Sequence, residues 1–320
     1  MKKILPIYIL FFILLPLSCS SEAITQNDNS AGNIINSEQA KKDEKPVDEL
    51  QKQIKQIASE AKGRVGVKAV LLETGEEVSL NSDGHFPMQS VYKLPIGMAV
   101  MQQVDAGRIT LEQKVRVEKS DFVRQGMQSP IRDKNPNGAE LTVSELLHFS
   151  ISQSDGTASD VLLKLAGGAE VVGKYLGEIK VDELIVADSE KEIGRDWETQ
   201  YRNWASPDGA IALLRALHKR SGGLSEQSQA LLLKFLIEAT TGPKRLKGLL
   251  PAGTIVAHKT GTSGTRKGIT AATNDIGIIT LPNKRHLAIA VFVSDSPADE
   301  ATRERVIAKI ARAAWDKWSN

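Results

Sequence analysis

Ser90-Val-Tyr-Lys93 opens an apolar run that keeps helical periodicity from Val91 to Asp105 and stops at Gly107. A spacing of three puts the serine and the lysine on one helical face, about one turn apart. A serine hydroxyl is a poor nucleophile at neutral pH and needs a base within hydrogen-bond reach. A lysine serves as that base where burial or a nearby cation lowers its pKa. The helix N-terminus adds backbone N–H groups suited to developing negative charge. Taken alone, the pattern also fits a capping serine followed by a solvated lysine, so its surroundings decide.

Working outward, Ser154-Asp155-Gly156 falls in a short break between helical segments and by itself reads as an ordinary turn. Lys259-Thr-Gly-Thr-Ser263 sits in a β-rich run that is odd for a plain strand. Lys259 interrupts the apolar stretch Ile255 to Ala257, and Gly261 weakens the strand while letting a substrate backbone approach closely. An amphipathic helix is expected over 47–61, followed by strands at 64–72 and 77–80. Further helices are expected at 157–165 and 169–176, with a capping-box pattern at Thr142 and Glu145. Ser206-Pro207 and Ser225 start two more, running to about His218 and Glu238. Strands at 254–262, 269–281 and 287–294 and a closing helix over 298–318 complete the chain. Strands at both ends around a helical middle predict an α/β layer with an all-helical insertion and a site in the groove between them.

The three motifs, in this order on helix, loop and strand, match the S-x-x-K, S-D-N and K-T-G set of class A β-lactamases and penicillin-binding proteins. Only Gly156, in the asparagine position, departs from it. The chain resembles class A serine β-lactamases from its first helix to its last, and most closely the extended-spectrum PER/VEB branch. The stretches that carry this likeness are Phe86-Pro-Met-Gln-Ser-Val, the segment from Thr241 to Gly253, Ala257-His-Lys-Thr-Gly-Thr-Ser263 and Tyr201-Arg-Asn-Trp204. The longer stretch from Gly126 to Gly138 adds to it.

That resemblance implies an α/β (α+β) serine β-lactamase/DD-peptidase-like fold. It comprises an antiparallel five-stranded sheet flanked by terminal helices and an all-helical subdomain, with the active site in the cleft. The expected domain is 47–320, its α/β part about 47–88 and 240–320 and its helical part about 89–239. The implied function is hydrolysis of the β-lactam ring of penicillins or cephalosporins through a serine acyl-enzyme, conferring antibiotic resistance. The alternative is a penicillin-binding DD-peptidase-like protein that acylates but deacylates slowly, a reading kept open by Gly156.

Rapid deacylation requires a base that holds water against the acyl ester. Glu198, in Arg195-Asp-Trp-Glu198, superficially mimics the family's pattern, yet choosing it leaves a truncated loop before Pro207. Glu190 has the family's usual spacing from Ser154 and is in register with Tyr201-Arg-Asn-Trp204. It is therefore the expected base, and Glu192 and Glu198 are expected to be solvated loop carboxylates. The resemblance further implies Ser90 as nucleophile with Lys93, and Ser154 as proton relay assisted by Lys259. Backbone N–H groups of Ser90 and Thr262 would form the oxyanion hole. Thr260, Gly261, Thr262 and Ser263 would line the substrate, with Arg245 facing its carboxylate. Gly156 stands where an asparagine normally bonds the substrate amide, and Gly194 where many relatives hold the hydrolytic water.

Composition is that of an ordinary globular protein and excludes several other classes. The 320 residues are 41% hydrophobic and 25% charged with a net charge of +2, which argues against a disordered chain and against nucleic acid as partner. One cysteine and scattered histidines offer no zinc-ligand spacing, so neither metal nor cofactor is expected. Lys2 and Lys3 followed by an apolar run to Leu17 read as an export signal, and Leu-Pro-Leu-Ser-Cys19 resembles a bacterial lipobox. The rival is cleavage after Ala23. Residues 1–19 are thus read as leader and 20–46 as a polar tether. The protein is expected in the periplasm as a monomer, touching the membrane only through a lipid on Cys19. The β-lactam and one hydrolytic water are its expected partners.

Overall fold

The run Leu-Ala-Ile-Ala-Val-Phe-Val at 287–293 is buried throughout and lies in the strand His286–Ser296. In this computed structural model, which describes residues 49–319, Leu287, Ile289, Val291 and Val293 join one hydrophobic cluster. Ala288, Ala290 and Phe292 join another. Alternate side chains of a strand point to opposite faces, so a strand covered on both sides reads as an unbroken apolar run.

This strand, β5, is central to a sheet that also contains β1 (Arg64–Leu71), β2 (Glu77–Leu80), β3 (Val256–Thr262) and β4 (Ile269–Thr280). The order is β2-β1-β5-β4-β3 with every pairing antiparallel, and the two-residue strand Thr265–Arg266 adds to β4. The register sets Val67 against Val291, Ala290 against Ile276, and Ile276 against Lys259.

Eight longer helices, among the described residues, flank the sheet. They are α1 (Glu49–Ser59), α2 (Lys93–Asp105), α3 (Val143–Ser152), α4 (Gly156–Ala166), α5 (Ala169–Glu178), α6 (Pro207–His218), α7 (Glu226–Ile237) and α8 (Glu300–Trp318). The terminal pair α1 and α8 covers one face through Leu50, Ile54, Ile57, Val306, Ile307 and Ile310, at helical spacing. Each such side chain contributes about 1.5–3 kcal/mol of burial free energy. On the other face, α2 is buried at every position from Lys93 to Met101. A helix that is apolar all round belongs in a core, and α2 is the axis about which the other helices pack. Gly97 lets α3 come close, since a Cβ there would lie 2.9 Å from Ile151 Cδ1.

The caps form where their residues predict. Thr142 and Glu145 complete a capping box, Ser206 accepts from Gly209 N at 2.9 Å, and Ser225 accepts from Ser228 N at 3.1 Å. Two small pairings carry no sequence signal. Phe86–Pro87, Trp204–Ala205 and Leu184–Ile185 form a three-stranded patch, and Lys114–Val117 pairs with Ala139–Thr142. Among the described residues no helix is long and apolar enough to cross a membrane. The leader, Cys19 and the tether lie outside the described residues.

Candidate active site

Ser90 lies on a 3₁₀ turn, Gln89–Tyr92, that runs directly into α2. Gln89 has a positive φ of 49°, an uncommon conformation for a side chain of this kind. The sheet holds this turn in place. Asn274 on β4 donates to Pro87 O at 2.8 Å and Met88 O at 3.2 Å. Gly261 on β3 packs so closely that a Cβ would lie 2.2 Å from Met88 O. Gln89 itself donates to Gln200 Oε1 at 2.7 Å, linking the turn to the loop after Glu190.

Lys93 Nζ is a three-way junction. It donates to Ser90 Oγ at 2.7 Å and to Ser154 O at 3.1 Å, and it lies 3.0 Å from Glu190 Oε2. Glu190 also accepts a hydrogen bond from the buried Tyr92 hydroxyl. Burial pushes the Glu190 pKa upward, but the Lys93 charge, the Tyr92 and Lys93 hydrogen bonds and Lys259 outweigh it and hold the carboxyl below its usual range. Burial and the Glu190 charge push the Tyr92 phenol well up, so it stays a donor.

Ser154 sits in the break between α3 and α4 with a φ of 57°. Its hydroxyl accepts from Lys259 Nζ at 3.0 Å, across the cleft from β3. Burial, then the Lys93 charge, holds the Lys259 pKa well below normal. Asp155 has a structural role: it caps α4 through Ala158 N at 2.9 Å and anchors Ile131 N at 2.7 Å. It thereby ties the 126–138 stretch to the Ser154 turn.

The loop carrying Glu190 is clamped at both ends. Asn203 accepts from Ala187 N and Asp188 N and donates to Asp188 O, each at 2.8 Å. Asp160 on α4 receives Glu190 N at 2.6 Å and Lys191 N at 3.1 Å. Burial, reinforced by the Glu190 charge against the lowering effect of those N–H bonds, lifts the Asp160 pKa to about 6. Glu190–Ile193 forms a short helix whose capping box uses Ser189 and Glu192. Glu192 is thus engaged in a cap, contrary to the expectation of a freely solvated carboxylate, and Glu198 is exposed.

A cavity of about 720 Å³ opens beside these groups. Ser90, Ser154, Glu190, Thr260, Thr262, Ser263 and Gly194 line it, together with Gln89, Trp197 and Arg266, which the sequence reading did not single out. That size suits a small organic ligand. Three expectations need correcting. Arg245 is only 3% exposed and lies behind the wall. Its guanidinium donates to Gly261 O, Asn274 O and the Thr262 hydroxyl and pairs with Glu304 at 3.2 Å, so it acts on the cavity through Thr262. Gly261 does not line the cavity, because the backbone it admits is that of Met88. Gly156 does not line it either: a Cβ there would lie 2.7 Å from Glu190 Cγ, so the glutamate occupies the space a side chain would need. Tyr92, inside the first motif, and Asp160 were missed because tyrosine and helical aspartate carry no signal of their own.

A serine joined to a buried lysine, a second serine–lysine pair across the cleft and an ionised carboxylate on a clamped loop define an acyl-transferring serine hydrolase. The model of the beta-lactamase enzyme family matches residues 49–318. Beta-lactamase VEB-1 of Pseudomonas aeruginosa is 40% identical over 274 residues, covering 85% of this chain and 91% of that protein. Extended-spectrum beta-lactamase PER-1 of the same organism is 45% identical over 268 residues, covering 83% and 86%. The crystal structure of a beta-lactamase from Chitinophaga pinensis superposes with a TM-score of 0.81 at 46% identity, covering 84% of this chain and 98% of that one. The chain belongs to the beta-lactamase enzyme family, and it is a class A β-lactamase.

Proposed function

We propose that the protein hydrolyses penicillins or cephalosporins by acylation on Ser90 and deacylation through Glu190, conferring resistance to them. The observation that carries this reading is the sharing of Lys93 Nζ between Ser90 Oγ at 2.7 Å and Glu190 Oε2 at 3.0 Å. In acylation, Lys93 hands a proton to Glu190 and takes the one from Ser90, whose oxygen attacks the lactam carbonyl. The N–H groups of Ser90 and Thr262 receive the developing oxyanion. As the C–N bond breaks, the Ser154 hydroxyl gives its proton to the lactam nitrogen, and the low-pKa Lys259 replenishes it across 3.0 Å. Once Lys259 has regained its proton at the expense of the protonated Glu190, the Glu190 carboxylate takes a proton from water as that water attacks the ester, and Ser90 leaves with a proton that Glu190 passes on through Lys93. Thr260, Thr262 and Ser263 hold the substrate carboxylate, with Arg245 orienting the Thr262 hydroxyl.

Export goes with this function. The reading is a leader over 1–19, a tether over 20–46 and a periplasmic monomeric domain over 47–320, with a lipid on Cys19 as membrane anchor. The test is turnover of a penicillin and a chromogenic cephalosporin by the purified protein. Multiple turnovers of either drug are expected. Stoichiometric acylation that then stalls would overturn the reading in favour of a DD-peptidase-like protein.

A further inference from the structure

Away from the cavity, side chains from three distant elements meet at one end of the sheet. Glu73 lies in the turn between β1 and β2, His286 opens β5, and His218 closes α6. The Glu73 carboxylate accepts from His286 N at 2.9 Å and lies 2.7 Å from His286 Nδ1. The rings of His218 and His286 have centroids 4.9 Å apart and planes inclined at 51°, so they are not stacked. One ligand atom from each of the three residues lies within 4.8 Å of the other two. None of them lines the cavity beside Ser90.

We propose that Glu73, His218 and His286 form a binding site for a divalent transition-metal ion, with Zn²⁺ as the best match. Two imidazoles and a carboxylate are a ligand set that tetrahedral Zn²⁺ accepts, with water as the fourth ligand. Mg²⁺ and Ca²⁺ prefer shells of oxygen and fit the two nitrogens poorly. An ordinary ion pair accounts for Glu73 and His286 but leaves unexplained why His218 is brought to the same point. The ring nitrogens of His218 have no hydrogen-bond partner among the described residues. Ligand atoms about 2.0–2.1 Å from a tetrahedral Zn²⁺ stand about 3.3 Å from one another, so His218 must move in by up to about 1.5 Å while the Glu73–His286 hydrogen bond opens to admit the ion. Glu73 and His286 are 37% and 33% exposed, which leaves room for that movement and for entry of the ion. The bound ion would fasten the β1–β2 turn, the start of β5 and the end of α6 together. Closely spaced histidines are the usual sign of such a site, and here 213 residues separate Glu73 from His286.

The test uses the protein without a histidine tag, stripped with EDTA and then titrated with ZnCl₂ by calorimetry and thermal melting. One Zn²⁺ per chain is expected, with a rise in Tm of a few degrees at Zn²⁺ about 100-fold above Kd. Both effects should vanish in His218→Ala/His286→Ala and weaken in Glu73→Gln. Should the double variant melt early in EDTA, His218→Gln alone provides the comparison. β-Lactam hydrolysis in EDTA should be equal in all variants, which keeps this outcome separate from the catalytic reading. Equal Zn²⁺ uptake by wild type and the histidine variants, or no saturable uptake by wild type, would overturn the proposal.

Discussion

At the scale of single residues, the carboxylate of Glu190 is the most constrained group in the site. It is held by Lys93 and the Tyr92 hydroxyl, and it fills the space that a side chain on Gly156 would need. Tyr92 donates to the ionised form, so its hydrogen bond favours the carboxylate and lowers the Glu190 pKa. Removing that donor in Tyr92→Phe raises the pKa, and the acid limb of the pH profile of kcat/KM is expected to move to higher pH. An unmoved limb would show that the hydroxyl does not act on the base. Gly156→Asn restores the family's usual residue, yet its Cβ would meet Glu190 Cγ at 2.7 Å. Displacing a base by about an ångström costs on the order of 10²-fold, so burst kinetics should show slower deacylation and accumulation of acyl-enzyme. Ser90, Lys93, Ser154 and Lys259 were legible because their chemistry is written in short spacings. Gly156 was legible only as a missing asparagine, since no spacing reveals that Glu190 fills the space. Arg245 was misread for a related reason: whether a guanidinium faces the cavity or the backbone behind it is settled by packing.

At the scale of elements, the site is assembled by small attachments between large pieces. Asn203 makes three hydrogen bonds to the backbone of Ala187 and Asp188, just before Glu190. Truncation in Asn203→Ala leaves two N–H groups and a carbonyl without partners. It should cost about 1–3 kcal/mol, read as a lower Tm, and slow deacylation more than acylation. Equal losses in both steps would mean that the clamp positions the whole site. The longer elements could be read in advance because caps and periodicity act locally, as at Thr142 with Glu145 and at Ser206 with Pro207. The patch of Phe86–Pro87, Leu184–Ile185 and Trp204–Ala205 could not, because a two-residue strand is too short to show alternation.

At the scale of the molecule, a sheet buried on both faces provides the rigid wall and the helical layer around α2 provides the nucleophile. The cleft then has to bury several charges at once. Lys259 is held well below its normal pKa by burial and by Lys93, so the fold keeps a cation where cations are disfavoured. A lysine whose folded pKa is depressed adds stability only above its unfolded value, and that contribution is lost as pH falls through the folded value. Lys259→Met should therefore melt a few degrees higher than wild type at neutral pH while losing hydrolysis. A lower Tm would show that the Ser154 hydrogen bond outweighs the cost of the buried charge. Whether Glu190 drives deacylation of a Ser90 ester is read most directly by mass spectrometry of Glu190→Ala after exposure to a penicillin. A persistent adduct of one intact drug on the Ser90 peptide is expected, against rapid clearance in wild type. Clearance at the wild-type rate, or a persistent adduct in Glu198→Ala instead, would contradict it.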